Sequence, residues 1–257
     1  MLEYVNLDVA ITKEEYKKKI GMLQQRLYEL EHAVFNANIP VMILFEGWAA
    51  TGKGRLINIV AERLDPRGFR VVPIKPPRTA ETKYPWMWRF WQKIPARGQM
   101  VAYDTSWYQR VLSDRIKKVV KQSEWDSAYR DITEFEEVLS SDGVVILKFW
   151  LHISKDELTN RLNKLRSDEI TAWQVTEDDL LQKKKYEKYT DAIEDMLLRT
   201  DAPSSPWTII EATDKYFARI KVLETIIKGI EDHLGLPDST ITESSNQNEV
   251  MQGAVNA

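Results

Sequence analysis

Residues 41–60 read VMILFEGWAATGKGRLINIV, and the architecture of the chain follows from this pattern. The apolar run at 41–45 is short enough to be a buried parallel strand, and the apolar positions after Lys53 recur at helical spacing. The pattern therefore predicts a strand-to-helix turn at the glycines. Gly47, Gly52 and Lys53 match G-x-x-x-x-G-K, whose backbone N–H groups cradle phosphate oxygens while the lysine reaches the outer phosphates. A glycine-rich turn with a surface lysine is the alternative.

The match to the phosphate-loop motif stops at Gly54, where the usual pattern has a Ser or Thr hydroxyl that holds Mg²⁺. A glycine offers the metal no side-chain oxygen at this position. The loop residues predicted to bind phosphate are Gly47, Thr51, Gly52, Lys53 and Gly54.

The composition limits what this loop can serve. The chain has 257 residues, 43% of them hydrophobic, which is enough to bury a core, and we predict one domain. A net charge of -3 gives no global attraction to nucleic acid or to an anionic membrane, so we expect neither as a partner. The absence of cysteine excludes disulfides and thiolate zinc sites, and the amino terminus lacks a signal-peptide pattern. We expect a cytoplasmic protein.

The remaining periodicities predict an α/β protein in which helices flank a parallel five-stranded sheet. We predict a single P-loop kinase-like domain at 1–235, with a helical lid at about 155–199, and a disordered C-terminal tail at 236–257. A capping box at Thr12 starts an amphipathic helix at about 12–38, which either packs on its own domain or binds a partner chain. After the first strand, the predicted strands are 70–74, 100–103, 144–151 and 207–211.

Three features of the second half of the chain have competing interpretations. A capping box at Thr176 predicts one long charged helix that ends near Arg199. The lysines at 183–185 are a phosphate site or, by preference, a solvated helix face. His152 directly follows the fourth strand, where a histidine is more often structural than catalytic.

Polar and aromatic residues follow two of the predicted strands, at the edge where open α/β sheets bind ligands. Lys75 and Arg78 flank two prolines and are either phosphate contacts or part of a solvated loop. Asp104 ends the third strand, where P-loop enzymes place a carboxylate for Mg²⁺, although an isolated Asp there is also a common helix cap. Trp88 and Arg89 belong to an aromatic-dense stretch that is either a nucleobase platform or packing.

Several ordered motifs carry a family resemblance, namely FEG at 45–47, WRFW at 88–91, PARG at 95–98, SWY at 106–108, KFWLHISK at 148–155 and DK at 214–215. Together they resemble the polyphosphate kinase 2 family, and within it the polyphosphate:AMP phosphotransferases. The resemblance implies a three-layer P-loop kinase fold with a helical lid. It also implies phosphoryl transfer between inorganic polyphosphate and a nucleotide, AMP/ADP or GMP/GDP, with Mg²⁺. It also implies a homo-oligomer, either a dimer or a tetramer.

The same resemblance implies roles for individual residues. Lys53 becomes the phosphate clamp, Asp104 the metal carboxylate and Arg110 a neighbour of the transferred group, and these are the predicted catalytic residues. Glu46 is a second metal-ligand candidate. Further phosphate contacts are Lys75, Arg78 and Arg166, and the nucleotide contacts are Trp88, Arg89 and Arg199.

The chain departs from the usual family pattern at the site itself. The family usually has an Asp where this chain has Ala49 and an Arg where it has Thr105. The basic cluster usual around the lid tryptophan is thinned, since the flanking residues are Thr171, Ala172 and Gln174. Losing one stabiliser of the transition state costs roughly 10²-fold in rate or more.

We therefore weigh an active polyphosphate-dependent nucleotide kinase against a catalytically degenerate relative. The degenerate relative would bind nucleotide or polyphosphate, or regulate an active paralogue. An ATP-dependent nucleoside monophosphate kinase is the third hypothesis.

Overall fold

One parallel β-sheet forms the centre of the protein, in a computed structural model that describes residues 2–239. Its strand order is β2-β3-β1-β4-β5, with every pair of neighbours parallel. The central strand β1 is buried over nearly its whole length, as its continuous apolar run predicts. The predicted five-stranded parallel sheet is confirmed. The strands are β1 Val41–Gly47, β2 Phe69–Pro73, β3 Met100–Asp104, β4 Val145–His152 and β5 Trp207–Glu211.

Helices precede the sheet, connect its strands and follow it. Short 3-10 turns supplement them, including one at Trp107–Arg110. The α-helices are α1 Lys13–Ala37, α2 Lys53–Ala61, α3 Trp88–Trp91, α4 Ser113–Lys117, α5 Gln122–Ser141, α6 Lys155–Ser167, α7 Glu177–Lys184, α8 Tyr186–Thr200 and α9 Lys215–Leu234.

Successive side chains of β4 point to opposite faces of the sheet, and a layer of helices covers each face. Leu147 lies against α9, where a Cβ added to Gly229 would come within 2.6 Å of Leu147 Cδ2. Lys148 points the other way and reaches Glu136 of α5 at 2.8 Å and the carbonyl oxygen of Thr200 of α8 at 2.7 Å. The predicted three-layer α/β arrangement is therefore confirmed.

Helix α1 packs along α9 in the first of these layers. The predicted capping box at Thr12 is present. Ion pairs then join Lys19 to Glu224 at 3.1 Å and Arg26 to Glu231 at 2.8 Å. In the structure, α1 thus uses its contact face within its own chain.

The prediction of one long charged helix after Thr176 is wrong. The capping box at Thr176 is present, but the chain forms two helices, α7 and α8, with a break at Lys185. No proline or glycine causes the break. At the break, the Tyr186 ring stacks on Trp48 at a centroid distance of 4.2 Å. Stacking and burial of two aromatic rings offset the loss of a continuous helix, and helical periodicity carries no sign of such a contact.

The chain after α9 is described as far as Ser239. The Leu236 N–H donates to the Glu231 carbonyl oxygen at 2.9 Å, and Ser239 Oγ donates to Glu231 Oε1 at 2.6 Å. The rest of the predicted disordered tail, 240–257, lies outside the described residues. Within residues 2–239, no helix is long and apolar enough to cross a membrane.

A buried polar network lies between β4 and the second helix layer. Lys148 and Glu136 are almost fully buried and pair at 2.8 Å. Glu136 also accepts hydrogen bonds from Trp107 Nε1 at 2.9 Å, Tyr108 Oη at 2.8 Å and Ser205 Oγ at 3.0 Å. Burial lowers the pKa of Lys148, and the charge of Glu136 opposes that fall. Each charged group therefore has its bonding partners in place.

Replacing Lys148 by Met should lower the free energy of unfolding by about 3–5 kcal/mol, because Glu136 would remain buried without its counter-charge. The matched control is Lys155→Met, which removes the exposed Lys155–Glu187 pair and should cost less than about 1 kcal/mol. Denaturant unfolding of both variants measures the difference. Equal costs for the two substitutions would show that the buried network does not contribute in this way.

Candidate active site

The phosphate-loop motif forms the turn from β1 into α2. Gly47 lies so close to β4 that an added Cβ would come within 2.7 Å of Leu151 Cβ. Gly52 has a φ of 83° and caps α2, so Lys53 is the first residue of that helix. Gly54, in contrast, has no atom within 4 Å of an added Cβ. The close approach to Leu151 requires a glycine at position 47, and the positive φ favours a glycine at position 52. Neither reason applies to Gly54.

Lys53 and Asp104 meet at the carboxyl edge of the sheet. Asp104 ends β3 directly opposite Phe45 of β1 in the strand register. The Lys53 Nζ lies 3.3 Å from Asp104 Oδ1, and the two side chains are 18% and 38% exposed. A lysine in the first turn of a helix thus lies beside an accessible carboxylate, an arrangement that P-loop enzymes use to bind phosphates and Mg²⁺.

Glu46 is held by hydrogen bonds next to this pair. Its buried carboxylate accepts from the backbone N–H and Oγ of Ser106 at 2.7 and 2.8 Å and from Gln109 Nε2 at 2.8 Å. Burial raises the pKa of the Glu46 carboxyl, and the charge of Lys53 opposes the rise. Glu46 therefore ties the segment after Asp104 to β1. Among residues 2–239, no group of three or more His, Cys, Asp or Glu could hold a metal ion.

Two non-glycine residues at the site have left-handed backbone. Ala50 has a φ of 55° and Thr105 a φ of 60°. Such a conformation costs on the order of 1–3 kcal/mol, and for a β-branched residue it is a genuine outlier. The Thr105 N–H donates to the Phe45 carbonyl oxygen at 3.1 Å, and the Thr105 Oγ1 donates to the Ile74 carbonyl oxygen at 3.3 Å. Surrounding contacts thus hold the loop and the tip of β3 in strained shapes, as ligand sites commonly do.

The helices after β4 contact the phosphate loop from its other side, through residues that the sequence analysis did not select. Gln182 Oε1 of α7 accepts from the Ala49 N–H at 2.8 Å. Arg161 of α6 donates to the Ala50 carbonyl oxygen at 3.2 Å. Both side chains belong to charged helical stretches, where sequence alone does not distinguish a loop contact from a solvated residue.

Trp48 anchors the loop to β4. The Trp48 Nε1–H donates to His152 Nδ1 at 3.1 Å, so the neutral imidazole carries its proton on Nε2. Burial lowers the pKa of His152 to about 4, against the opposing charges of Glu194 and Glu211. This contact gives His152 a structural part in positioning the loop.

The segment after β2 reaches the same edge of the sheet. The Ile74 N–H donates to the Asp104 carbonyl oxygen at 3.1 Å, which places the backbone of Lys75 beside the tip of β3. Lys75 and Arg78 have exposed side chains in the turn that follows. Both residues are therefore accessible at the edge that carries Lys53 and Asp104.

Trp88 and Arg89 support that segment. The Trp88 ring stacks on Tyr84 at a centroid distance of 4.3 Å. Arg89 Nη2 donates to the Lys75 carbonyl oxygen at 2.6 Å, and Arg89 Nε lies 3.7 Å from Glu81 Oε2. Arg89, a predicted nucleotide contact, is thus bonded to the segment that carries Lys75.

Arg110 lies close to the site. It follows Gln109, whose side chain bonds to Glu46, and its Nη2 lies 3.3 Å from Glu124 Oε1. Its guanidinium carbon is 5.4 Å from the centroid of the Trp86 ring. Within the described chain, the buried Arg110 Nε has no hydrogen-bond partner.

Two further predicted arginines lie on the helices that follow β4. Arg166 is exposed near the end of α6. Arg199 pairs with Asp126 at 2.8 Å. It lies near the opposite end of α8 from Tyr186, which at 1.5 Å per residue is about 20 Å along the helix from the contact with Trp48.

Comparison with known proteins gives consistent matches along the chain. Residues 10–235 match the family described as Polyphosphate kinase 2 (PPK2). A polyphosphate:AMP phosphotransferase from Pseudomonas syringae pv. tomato is 39% identical over 231 residues, which cover 90% of this chain and 46% of that protein. NDP-polyphosphate phosphotransferase 3 from Ruegeria pomeroyi is 32% identical over 240 residues, covering 91% of this chain and 80% of that protein. The crystal structure of polyphosphate kinase 2 from Arthrobacter aurescens TC1 matches with a TM-score of 0.86 and 26% identity, covering 98% of this chain and 93% of that one.

The position of β1 between β3 and β4 makes the phosphate loop and the β3 carboxylate face each other, and this arrangement assigns the chain to the P-loop kinase class. Within that class, the chain belongs to the polyphosphate kinase 2 family. The resemblance deduced from the sequence motifs is confirmed. The chain spans about half the length of the Pseudomonas syringae relative that it matches, 46% of that protein.

The stability of the protein should fall as the pH drops from about 6.5 to about 4 because of His152. In this window His152 binds a proton in the unfolded chain but not in the folded protein, since folding lowers the pKa of His152 from 6.5 to about 4. Between pH 7 and pH 5, the wild type should lose about 1–2 kcal/mol more than His152→Gln, which keeps an acceptor for Trp48 but does not titrate. Denaturant unfolding at the two pH values measures this difference. The same loss in both proteins would assign the pH dependence to other groups.

Proposed function

We propose that the protein transfers a phosphoryl group between inorganic polyphosphate and a nucleoside mono- or diphosphate, with AMP or ADP as the leading nucleotides and GMP or GDP as the alternatives. The observation that carries the proposal is the 3.3 Å approach of Lys53 to Asp104 at the phosphate loop. Membership of the polyphosphate kinase 2 family supports the reaction class. The names of the Pseudomonas syringae and Ruegeria pomeroyi relatives support a nucleotide as the second substrate.

Phosphoryl transfer depends on positioning and on neutralising negative charge, and the loop supplies both. The backbone N–H groups at the start of α2 would bind phosphate oxygens, helped by the positive end of the helix dipole. Lys53 would exchange its contact with Asp104 for the outer phosphate. Arg110 adds a cation whose Nε has a free hydrogen-bonding position within the described chain.

The residues present fit a Mg²⁺ ion held together with the substrate. Mg²⁺ is commonly bound by one or two carboxylates plus phosphate oxygens, and Asp104 supplies an accessible carboxylate. Bound Mg²⁺ would neutralise charge on the phosphates. Glu46, the second candidate ligand, would have to give up hydrogen bonds to Ser106 and Gln109. We therefore propose Asp104 as the principal ligand.

Further contacts to substrate are assigned by position. Lys75 and Arg78 are proposed as phosphate contacts because they are exposed at the edge that carries Asp104. Arg166 is proposed as a lid contact to polyphosphate, and Trp88 with Arg89 as the nucleotide side of the site. The location of Arg199 favours a structural role on α8, where it binds Asp126.

A second candidate function is binding of polyphosphate or nucleotide without turnover, or regulation of an active paralogue. Three positions at the site favour it: Ala49 and Gly54 of the loop offer no oxygen to a metal, and Thr105 at the tip of β3 offers no charge to a phosphate. Each such loss can cost roughly 10²-fold in rate. Measured turnover distinguishes the two candidates directly.

We further propose that the protein acts in the cytoplasm as a homo-oligomer, either a dimer or a tetramer. The absence of cysteine fits a reducing compartment. The assembly is what the family resemblance implies.

Purified protein supplied with Mg²⁺, polyphosphate and each of AMP, ADP, GMP and GDP should form the next higher nucleotide, detected by product chromatography. Lys53→Ala should lower this rate by about 10²-fold or more, since the phosphate clamp is lost. Its unfolding free energy should change by less than about 1 kcal/mol, because the pair with Asp104 is partly exposed.

The matched control is Lys17→Ala on the exposed face of α1, which should turn over as the wild type does. Full activity in Lys53→Ala would reject the loop as the reaction site. Wild-type protein that binds substrates but forms no product with any nucleotide would support the second candidate instead.

A further inference from the structure

A cleft lies between the turn that joins α4 to α5 and the first half of α8. Its cavity volume is about 730 Å³, which is within the range of small-ligand sites. Most of the charged side chains that line it are cations, and we call it the basic cleft. These cations are Arg115, Lys118, Lys121, Lys185 and Lys188.

Four of the five cations form no ion pair among the described residues, and three of these four are exposed. Arg115 pairs with Asp195 at 2.7 Å. In the described part of the chain, no carboxylate forms an ion pair with Lys118, Lys121 or Lys188. These three lysines are exposed, and their charge is available to a ligand.

The acidic residues of the lining do not balance this charge. They are Glu124 and Asp191, and Glu124 already pairs with Arg110 at 3.3 Å. Five cations and two acids give the lining a formal charge of about +3, whereas the whole chain has a net charge of -3. The positive potential of the cleft is therefore a local feature of this surface.

The lining is poorly suited to a nucleobase. Its single aromatic ring among the described residues, Trp125, is covered by the guanidinium of Arg115 at 4.2 Å from the ring centroid. Lysines bind phosphates as point charges. The chemistry of the cleft therefore favours a phosphate ligand without a base.

Two contacts connect the walls of the basic cleft to the candidate active site. Lys185 lies at the break between α7 and α8, and the next residue, Tyr186, stacks on Trp48 of the phosphate loop at 4.2 Å. On the other wall, Glu124 holds Arg110. A long anion with one end at the loop thus has a positive surface close by.

We propose that the basic cleft binds a distal stretch of the inorganic polyphosphate chain whose end lies at the phosphate loop. The proposal rests on the proposed function, from which it takes polyphosphate as the substrate. A polymer with a charge on every unit bridges the two sites, and the second contact gains from the high effective concentration of a tethered ligand. The cleft therefore selects long chains over short ones.

The test compares binding of long-chain polyphosphate and of tripolyphosphate by titration calorimetry. The variant Lys118→Gln/Lys121→Gln/Lys188→Gln removes three charges from the cleft, and Lys13→Gln/Lys17→Gln/Lys18→Gln removes three exposed charges from α1. For the cleft variant, the Kd for long chains should rise about tenfold or more, a part of the 10²–10⁴-fold that bridging can supply. Its Kd for tripolyphosphate should stay within about twofold of wild type, since a short chain occupies only the loop.

Unchanged long-chain affinity in the cleft variant, or an equal loss in the α1 variant, would overturn the proposal. A single-stranded RNA that binds as tightly as long polyphosphate, with the same sensitivity to the cleft substitutions, would also overturn it. A Lys53→Ala protein that still binds long chains, but not once the cleft is altered, would support it. Because these readouts are binding constants, they hold even if the wild type shows no turnover, which would count against the proposed function alone.

Discussion

The site depends on the register in which β1 pairs with its two neighbours, β3 and β4. It brings Gly47 against Leu151, where only a glycine fits, and it sets Phe45 beside Asp104. The loop that leaves β1 must then turn over the edge of the sheet and start α2 at Lys53. The 3.3 Å approach of Lys53 to Asp104 follows from this register, because a slip of one residue would point one of the side chains to the other face.

Two buried carboxylates hold the segment that follows β3 in place. Glu46 of β1 holds Ser106 and Gln109, while Glu136 of α5 holds Trp107 and Tyr108. Arg110 is the next residue, so its position depends on both. Burying each carboxylate costs free energy, and several hydrogen bonds to that carboxylate offset the cost. We infer that the polar interior below the loop orients the residues that would meet the substrate.

The sequence was sufficient to predict the sheet, the loop and the opposition of Lys53 and Asp104, because each depends on local periodicity or on the edge shared by parallel strands. It was not sufficient for contacts made by helices distant in the chain. Gln182 and Arg161 reach the loop from helices whose charged patterns resemble solvated faces. The helix break at Lys185 depends on the stacking of Tyr186 on Trp48, for which local periodicity has no signal. The family resemblance implied a nucleotide contact at Arg199, yet the length of α8 places Arg199 far from the loop contact at Tyr186.

The central claim is that this loop binds substrate and metal with Asp104 as the principal carboxylate and without the hydroxyl that the usual phosphate-loop motif supplies at position 54. Gly54 tests it most directly, since a side chain there meets no atom within 4 Å. Initial rates should be measured against Mg²⁺ concentration for wild type, Gly54→Ser and Gly54→Ala, in which only the serine adds an oxygen. The account predicts that the Mg²⁺ concentration for half-maximal rate falls by about tenfold in Gly54→Ser and stays unchanged in Gly54→Ala. Identical Mg²⁺ dependence in all three proteins would contradict it.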